Sequence, residues 1–371
     1  MHAADLPRDG LRLLMMASSR TSSLLLRLRP LRTAALRLPE AACAHVSSLA
    51  LTVVGSAMIV LAAWLIRSLL LEPLSGMLPS PGAPPLLQPL WRHIVGRYGE
   101  TVTSPVFPGL LTAVFYFLAC LPYALADALA PPVTERFKLQ PSAPQRPDAW
   151  AHALGLTAWH HVFYIVPGLI SQWSKRGPWP YSHDSPIGNG SAAEDGWCME
   201  RCDGAALLPD DAPRLDVLLL HLFLCFVLFD AFYFLWHMAH HASPALYKHI
   251  HSVHHEYSAP FCWVTQHEHV LELLAVSIWS VLVPISLECH PLTQWVFMLA
   301  ATQLSVEAHS GYSVGVGRLL KAALPRLWGG AEHHDFHHRL PRRNFQPFFT
   351  HLDRAFGTYH DPEVEGRSKS L

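Results

Sequence analysis

Long apolar runs, rather than short alternations of apolar and polar residues, set the pattern of this chain. A helix that crosses hydrocarbon of roughly 30 Å needs about 20 apolar residues, with every backbone polar group satisfied inside the segment. Residues 46–66, 102–126, 151–174 and 217–236 meet that demand, and the last has Asp230 as its only formal charge. Two shorter apolar stretches, 273–287 and 292–306, are bracketed by Glu or His and separated by the breaker Glu288-Cys289-His290-Pro291. They predict a helical hairpin that need not cross fully. The pattern as a whole predicts an all-α fold, a polytopic membrane helical bundle with a histidine-rich helical cap.

Composition agrees with that reading. Hydrophobic residues make up 51% of the 371 and charged residues only 15%, where a soluble domain approaches about 25% charged. The formal net charge of -1 hides an N-terminal arm that carries Arg8, Arg12, Arg20, Arg27, Arg29, Arg32 and Arg37 against few acids. The positive-inside rule puts that end in the cytosol. An Arg- and Ser-rich arm poor in acids is also the composition of a mitochondrial transit peptide, and that alternative stays open. With a cytosolic N-terminus, four crossings place 67–101 and 175–214 in a lumen and everything from His237 onward in the cytosol. Asn189-Gly190-Ser191 in the second of those loops is a glycosylation sequon, and Cys198 and Cys202 beside it could pair in an oxidising compartment. The domain reading is a basic, disordered cytosolic arm over 1–45, one membrane domain over 46–360 with its lumenal loop at 175–214, and a polar tail over 361–371.

Candidate chemistry lies in the histidines, of which there are 25. Three clusters follow the fourth span and the hairpin: 237–241, 251–255 and 333–338. His237 and His241 are one helical turn apart, close enough to share a metal. His251, His254 and His255 have i, i+3, i+4 spacing, and His334, His337 and His338 repeat it. Eight imidazoles exceed what one tetrahedral zinc accepts and argue for a pair of metals with about five or six ligands each. His309, leaving the second arm of the hairpin, is placed to complete the shell. His240 and His269 stay open as further ligands, whereas His160 and His161 in the third span can line a cavity or bond to another helix. Imidazole suits iron and zinc alike, so the ligand set alone does not choose between them. Three acids, Asp230, Glu307 and Asp335, are candidates for holding the outer ring nitrogen of a ligand histidine, against the plainer roles of helix cap or exposed charge.

These residues resemble the fatty acid hydroxylase and sterol desaturase superfamily, which carries three histidine boxes. The likeness extends to Phe229-Asp230 before Trp236-His237, to Leu246-Tyr247, to Cys289-His290-Pro291-Leu292-Thr293 and to Leu304-Ser305-Val306-Glu307 with His309-Ser310-Gly311-Tyr312. It continues through Gly329-Gly330 before the third cluster and Phe348-Phe349-Thr350-His351 with Asp353 and Gly357-Thr358. It covers roughly residues 104–360 and is strongest to the sterol 25-hydroxylase branch. The N-terminal arm, the enlarged loop, His267 and His269 depart from that branch and bear on the substrate.

The resemblance implies a multi-pass protein of the endoplasmic reticulum membrane with cytosolic boxes, two iron ions, and dioxygen as co-substrate. The implied reaction inserts one oxygen atom into a C–H bond of a lipid, with a sterol side chain at C25 the first candidate. Another sterol, a fatty acyl chain or desaturation at the same site are the alternatives, and a histidine-rich metal transporter is the rival from another class. Transport ligands belong near the bilayer midplane, whereas these clusters stand at helix ends. No dinucleotide, flavin or haem-attachment motif occurs in the chain. Electrons would therefore come from a b-type cytochrome and its NAD(P)H-dependent reductase. Arg318, Lys321, Arg326, Arg339, Arg342 and Arg343 could dock such an acidic carrier or bind anionic headgroups; nothing points to nucleic acid.

Overall fold

The computed structural model describes residues 40–77, 85–104, 106–129, 132–141, 147–175 and 208–361. The arginines of the N-terminal arm, Asn189, Cys198 and Cys202 lie outside the described residues. Among the described residues the structure is helical, apart from two isolated bridges, Lys138 with Tyr312 and Trp328 with Phe349. In chain order the helices that matter to the site are α1 (Glu40–Leu74), α2 (Gln88–Val102), α3 (Phe107–Leu129) and α4 (Pro147–Ser171). They continue with α5 (Leu215–Ala242), α6 (Val270–Ser286), α7 (Pro291–His309), α8 (Gly315–Ala323), α9 (Gly330–Arg339) and α10 (His351–Ala355).

Helices α1, α3, α4 and α5 are long and apolar enough to cross a membrane, so the four spans read from the sequence are present. The first begins at Glu40, six residues ahead of the expected start. Burial separates their roles: 61% of the most apolar window of α5 is buried, against 17–28% for the other three. A helix apolar on all sides belongs inside a bundle; α5 is the most buried of the four and packs against α6 and α7, while α3 packs against α7.

The expected hairpin is α6 and α7. Its turn is fixed in several ways at once: Glu288 takes a positive φ of 52°, the Cys289 N–H donates to the Pro284 carbonyl at 2.9 Å, and the His290 ring accepts from the Leu292 N–H at 3.1 Å. Pro291 then opens α7 at a position where its missing N–H costs nothing. Helix α7 buries polar as well as apolar residues, and Gln294 satisfies its amide on the Cys289 carbonyl at 2.8 Å.

Helix α1 is seated by close approach. A Cβ added at Gly55 would lie 2.7 Å from Trp279 Cζ2 on α6, and Trp279 Nε1 donates to Ser56 Oγ at 3.1 Å. Small residues let membrane helices pack this closely. At the other end of the chain, the segment after α9 folds back onto α5. Asp230 accepts from the Phe348 N–H at 2.8 Å and the Phe349 N–H at 3.0 Å, and also from the Gln346 amide. Asp353 holds the same segment through the N–H groups of Phe345 and Gln346, both at 2.8 Å, and ties it to α9 through His333 at 3.2 Å.

Candidate metal centre

The last two turns of α5 present His237 and His241. A π-helical turn, Tyr247–His251, and a 3-10 turn, His254–Glu256, deliver the second cluster; His309 ends α7, and α9 carries His334, His337 and His338. The structure brings all nine rings together in two groups. His237, His241, His251, His255 and His337 form one, and His254, His309, His334 and His338 the other, each with its ligand-type atoms within 4.8 Å of one another. The groups adjoin, since the His255 and His338 rings are 4.8 Å apart. The boxes therefore do not map one to a metal. The second cluster divides, with His251 and His255 facing one way and His254 the other, and the third divides between His337 and the pair His334 and His338.

The ring nitrogens are arranged for a cation. His237 Nδ1 lies 2.7 Å from the Phe345 carbonyl oxygen, His337 Nδ1 2.6 Å from that of Arg343, His309 Nδ1 2.8 Å from that of Ser305 and His338 Nδ1 3.2 Å from that of Tyr257. A carbonyl only accepts, so each Nδ1 carries the proton and each Nε2 presents a bare lone pair. These inner nitrogens crowd: His337 Nε2 is 3.0 Å from His255 Nε2, His241 Nε2 3.2 Å from His237 Nε2, and His309 Nε2 is 3.1 Å from His254 Nε2 and 2.9 Å from His334 Nε2.

Burial pushes the imidazoles outside the spans down, to about 4 for His309 and His337. For His251, His254, His334 and His338 burial comes first and neighbouring imidazoles add to it. Neutral rings with converging lone pairs are the state a metal requires of its ligands, so these residues fit a metal pair.

The outer partners differ from the expected acids. Asp230 bonds the returning segment of residues 346–349, and so acts on His237 through the Phe345 carbonyl beside it. Glu307 accepts from the N–H groups of Val316 at 3.0 Å and Gly317 at 2.6 Å, closing the N-terminus of α8, where a negative charge is favoured. Asp335 accepts from the Gln140 amide at 2.9 Å and pairs with Arg339 at 3.2 Å. Among the described residues none of the three hydrogen-bonds a ring of either group. An acid that does is Glu272, whose Oε1 accepts from His251 Nδ1 at 2.8 Å with both side chains fully buried. Its signal was an acid in the first turn of an apolar helix, whereas Asp230 stood out as an acid within an apolar span.

Histidines outside the groups have local duties. His240 bonds the Trp236 carbonyl at 2.8 Å and Ser48 of α1 at 3.1 Å. His269 caps α6 by accepting from the Leu271 N–H at 3.2 Å, and its ring stacks on His45 at 5.2 Å. His267 Nε2 bonds Glu256 at 2.8 Å.

An apolar cavity of about 380 Å³ reaches His254, His309 and His334 from among α3, α4, α6 and α7, with Leu273, Met298 and Ala301 in its wall. Glu268 shares that wall, and burial pushes its carboxyl up to about 8, so it holds its proton near neutrality. A second, polar cavity of about 520 Å³ runs past Asp127, Lys138 and Asp335 and includes no member of either histidine group.

A multi-pass helical membrane protein with a buried polyhistidine centre opening on an apolar cavity is the class these observations define. Comparison with known proteins gives the family. The fatty acid hydroxylase family profile matches residues 222–358. Cholesterol 25-hydroxylase of Rattus norvegicus is 38% identical over 279 residues, 74% of this chain and 82% of its own. Cholesterol 25-hydroxylase-like protein 1, member 2, of Danio rerio is 36% identical over 280 residues, 74% and 91% of the two chains. Cholesterol 25-hydroxylase of Homo sapiens is 35% identical over 286 residues, 76% and 93%. No solved structure matches the chain. The chain belongs to the fatty acid hydroxylase family and is an oxidoreductase. Membership sets aside the transporter reading.

Proposed function

We propose that this enzyme is a sterol monooxygenase that holds two iron ions, one in each histidine group, and hydroxylates the sterol side chain at C25. The observation that carries the reading is the apolar cavity that reaches three rings of the four-histidine group. A lipid can slide into such a cavity from the bilayer and present one carbon to the centre while the walls exclude water. The names of the relatives favour a sterol as that lipid. When bound, the iron pair would supply the dioxygen chemistry. The protein's own part is to keep nine imidazoles neutral and oriented. Backbone carbonyls of Phe345, Arg343, Ser305 and Tyr257 fix four of them, and Glu272 fixes a fifth.

One membrane domain over residues 46–360, in the endoplasmic reticulum with the histidine boxes in the cytosol, suits a substrate that arrives from lipid and electrons that arrive from water. A b-type cytochrome and its NAD(P)H-dependent reductase would supply them. Of the basic side chains that could meet that carrier, Lys321 pairs with Glu332 at 3.3 Å and Arg339 with Asp335 at 3.2 Å, while Arg326 and Arg342 are exposed. The test is lipid mass spectrometry of cells expressing the chain, its His254→Ala variant or its His337→Ala variant. The expected result is a sterol product heavier by one oxygen atom with the parent chain alone, all three proteins being inserted in the membrane at equal levels. Unchanged product with either variant would refute the ligand assignment.

A further inference from the structure

The wall of the apolar cavity includes a histidine with a buried ring nitrogen that no protein group meets among the described residues. His161 opens a π-helical turn, His161–Ile165, within α4 and lines the cavity; such turns gather at functional positions. Its Nδ1 lies 2.8 Å from the Thr157 carbonyl oxygen. That carbonyl can only accept, so Nδ1 carries the single proton of the neutral ring and Nε2 is left as a bare acceptor. His161 Nε2 is buried and has no hydrogen-bond partner among the described residues. Phe117 at 5.2 Å and Tyr116 at 6.4 Å flank the ring and hold its plane. An unpaired acceptor at this depth is costly unless something fills it.

We infer that His161 Nε2 accepts a hydrogen bond from a hydroxyl of the lipid in the cavity, so that the site selects an unesterified lipid alcohol. The inference rests on the cavity being the substrate site. An ester, an ether or a fatty acid anion turns only acceptors toward Nε2 and leaves it unpaired, whereas an alcohol donates. The hydroxyls of Thr112, Ser280 and Thr302, in the same wall, each donate to a carbonyl of their own helix at 2.8 Å. They too can offer a ligand only lone pairs, which suits the same donor.

The experiment is equilibrium binding to the full chain in lipid nanodiscs, with cholesterol and its 3-methyl ether competing against labelled cholesterol, and turnover followed in the same discs. The ether keeps the ring system and removes the donor. Wild-type protein should bind the ether about tenfold more weakly, the effect of one hydrogen bond. In His161→Phe that preference should vanish, and in His161→Gln, which restores an acceptor, most of it should return. Equal binding of both sterols by the wild type, a comparison that needs no variant, overturns the inference, as does a preference that survives His161→Phe. Hydroxylation without discrimination removes the role of His161 and leaves the enzyme reading standing. Discrimination that depends on His161, with no hydroxylated product, keeps the role and removes the reading.

Discussion

Replacing Glu272 by leucine removes the acceptor of His251 Nδ1, a contact of 2.8 Å between two fully buried groups. The loss can be sized in two ways. Taking away the partner of a ligand's outer nitrogen typically lowers metal affinity about 10–100-fold, which is about 1.4–2.8 kcal/mol. Leaving a buried N–H unsatisfied costs roughly 1–3 kcal/mol, and the two routes agree. In the metal-free protein the same lost hydrogen bond, roughly 1–3 kcal/mol, is set against the removal of a buried acid. Burial, and after it the neighbouring Glu268, push the Glu272 carboxyl well up, so a leucine of similar volume relieves a strained acid. Iron titration against a competing chelator, run beside thermal unfolding of the metal-free form, separates the two effects. The expected result for Glu272→Leu is iron affinity lower by about 10–100-fold, with a metal-free midpoint close to the parent because the lost hydrogen bond and the removed buried acid offset each other. For Glu272→Gln, which keeps an oxygen acceptor, the loss should sit at the small end of that range. Iron affinity within twofold of the parent in Glu272→Leu would refute the reasoning.

The metal-free protein should also have a stability maximum near pH 6.5. Histidines whose folded value is depressed, such as His309 and His337 at about 4, bind protons in the unfolded chain first. Each removes up to about 1.4 kcal/mol per pH unit between about 6.5 and 4. Glu268 and Glu272, raised by burial, act the other way and cost stability as pH rises toward 8. The histidines outnumber them, so thermal midpoints that stay flat or climb from pH 6.5 to 4.5 would contradict the burial of neutral rings. Gly55→Leu should cost roughly 1–3 kcal/mol, because Trp279 occupies the space its side chain needs, whereas Gly99→Leu meets nothing within 4 Å; equal thermal midpoints for the two would refute the packing argument. Asn189 should carry a glycan, read as a mobility shift that an endoglycosidase and Asn189→Gln both abolish. An unmodified Asn189 would place that loop on the other side of the membrane.

Much of this was legible in the sequence because both signals are local. A run of about 20 apolar residues states its own helix, and clustered histidines declare themselves by spacing alone, so the spans and the nine converging rings could be named in advance. What was not legible depends on where distant segments meet. The split of His254 from His251 and His255 follows from the change from π to 3-10 turns between 247 and 256, which spacing on one regular helix does not anticipate. Asp230, Glu307 and Asp335 were expected on imidazoles, yet four of the imidazoles turned to carbonyls, which carry no residue signature. Glu272 stood in view as an acid opening an apolar helix, but its partner lies 21 positions away on a turn of irregular path.

All nine imidazoles are encoded by residue 338, yet two of the carbonyls that aim them belong to Arg343 and Phe345, on a strap pinned by Asp230 and Asp353. A polypeptide halted at Leu340 would own every ligand and still lack the means to point His237 and His337 inward. Competence to hold a metal would thus be withheld until residues 343–345 have been made and have folded back onto α5.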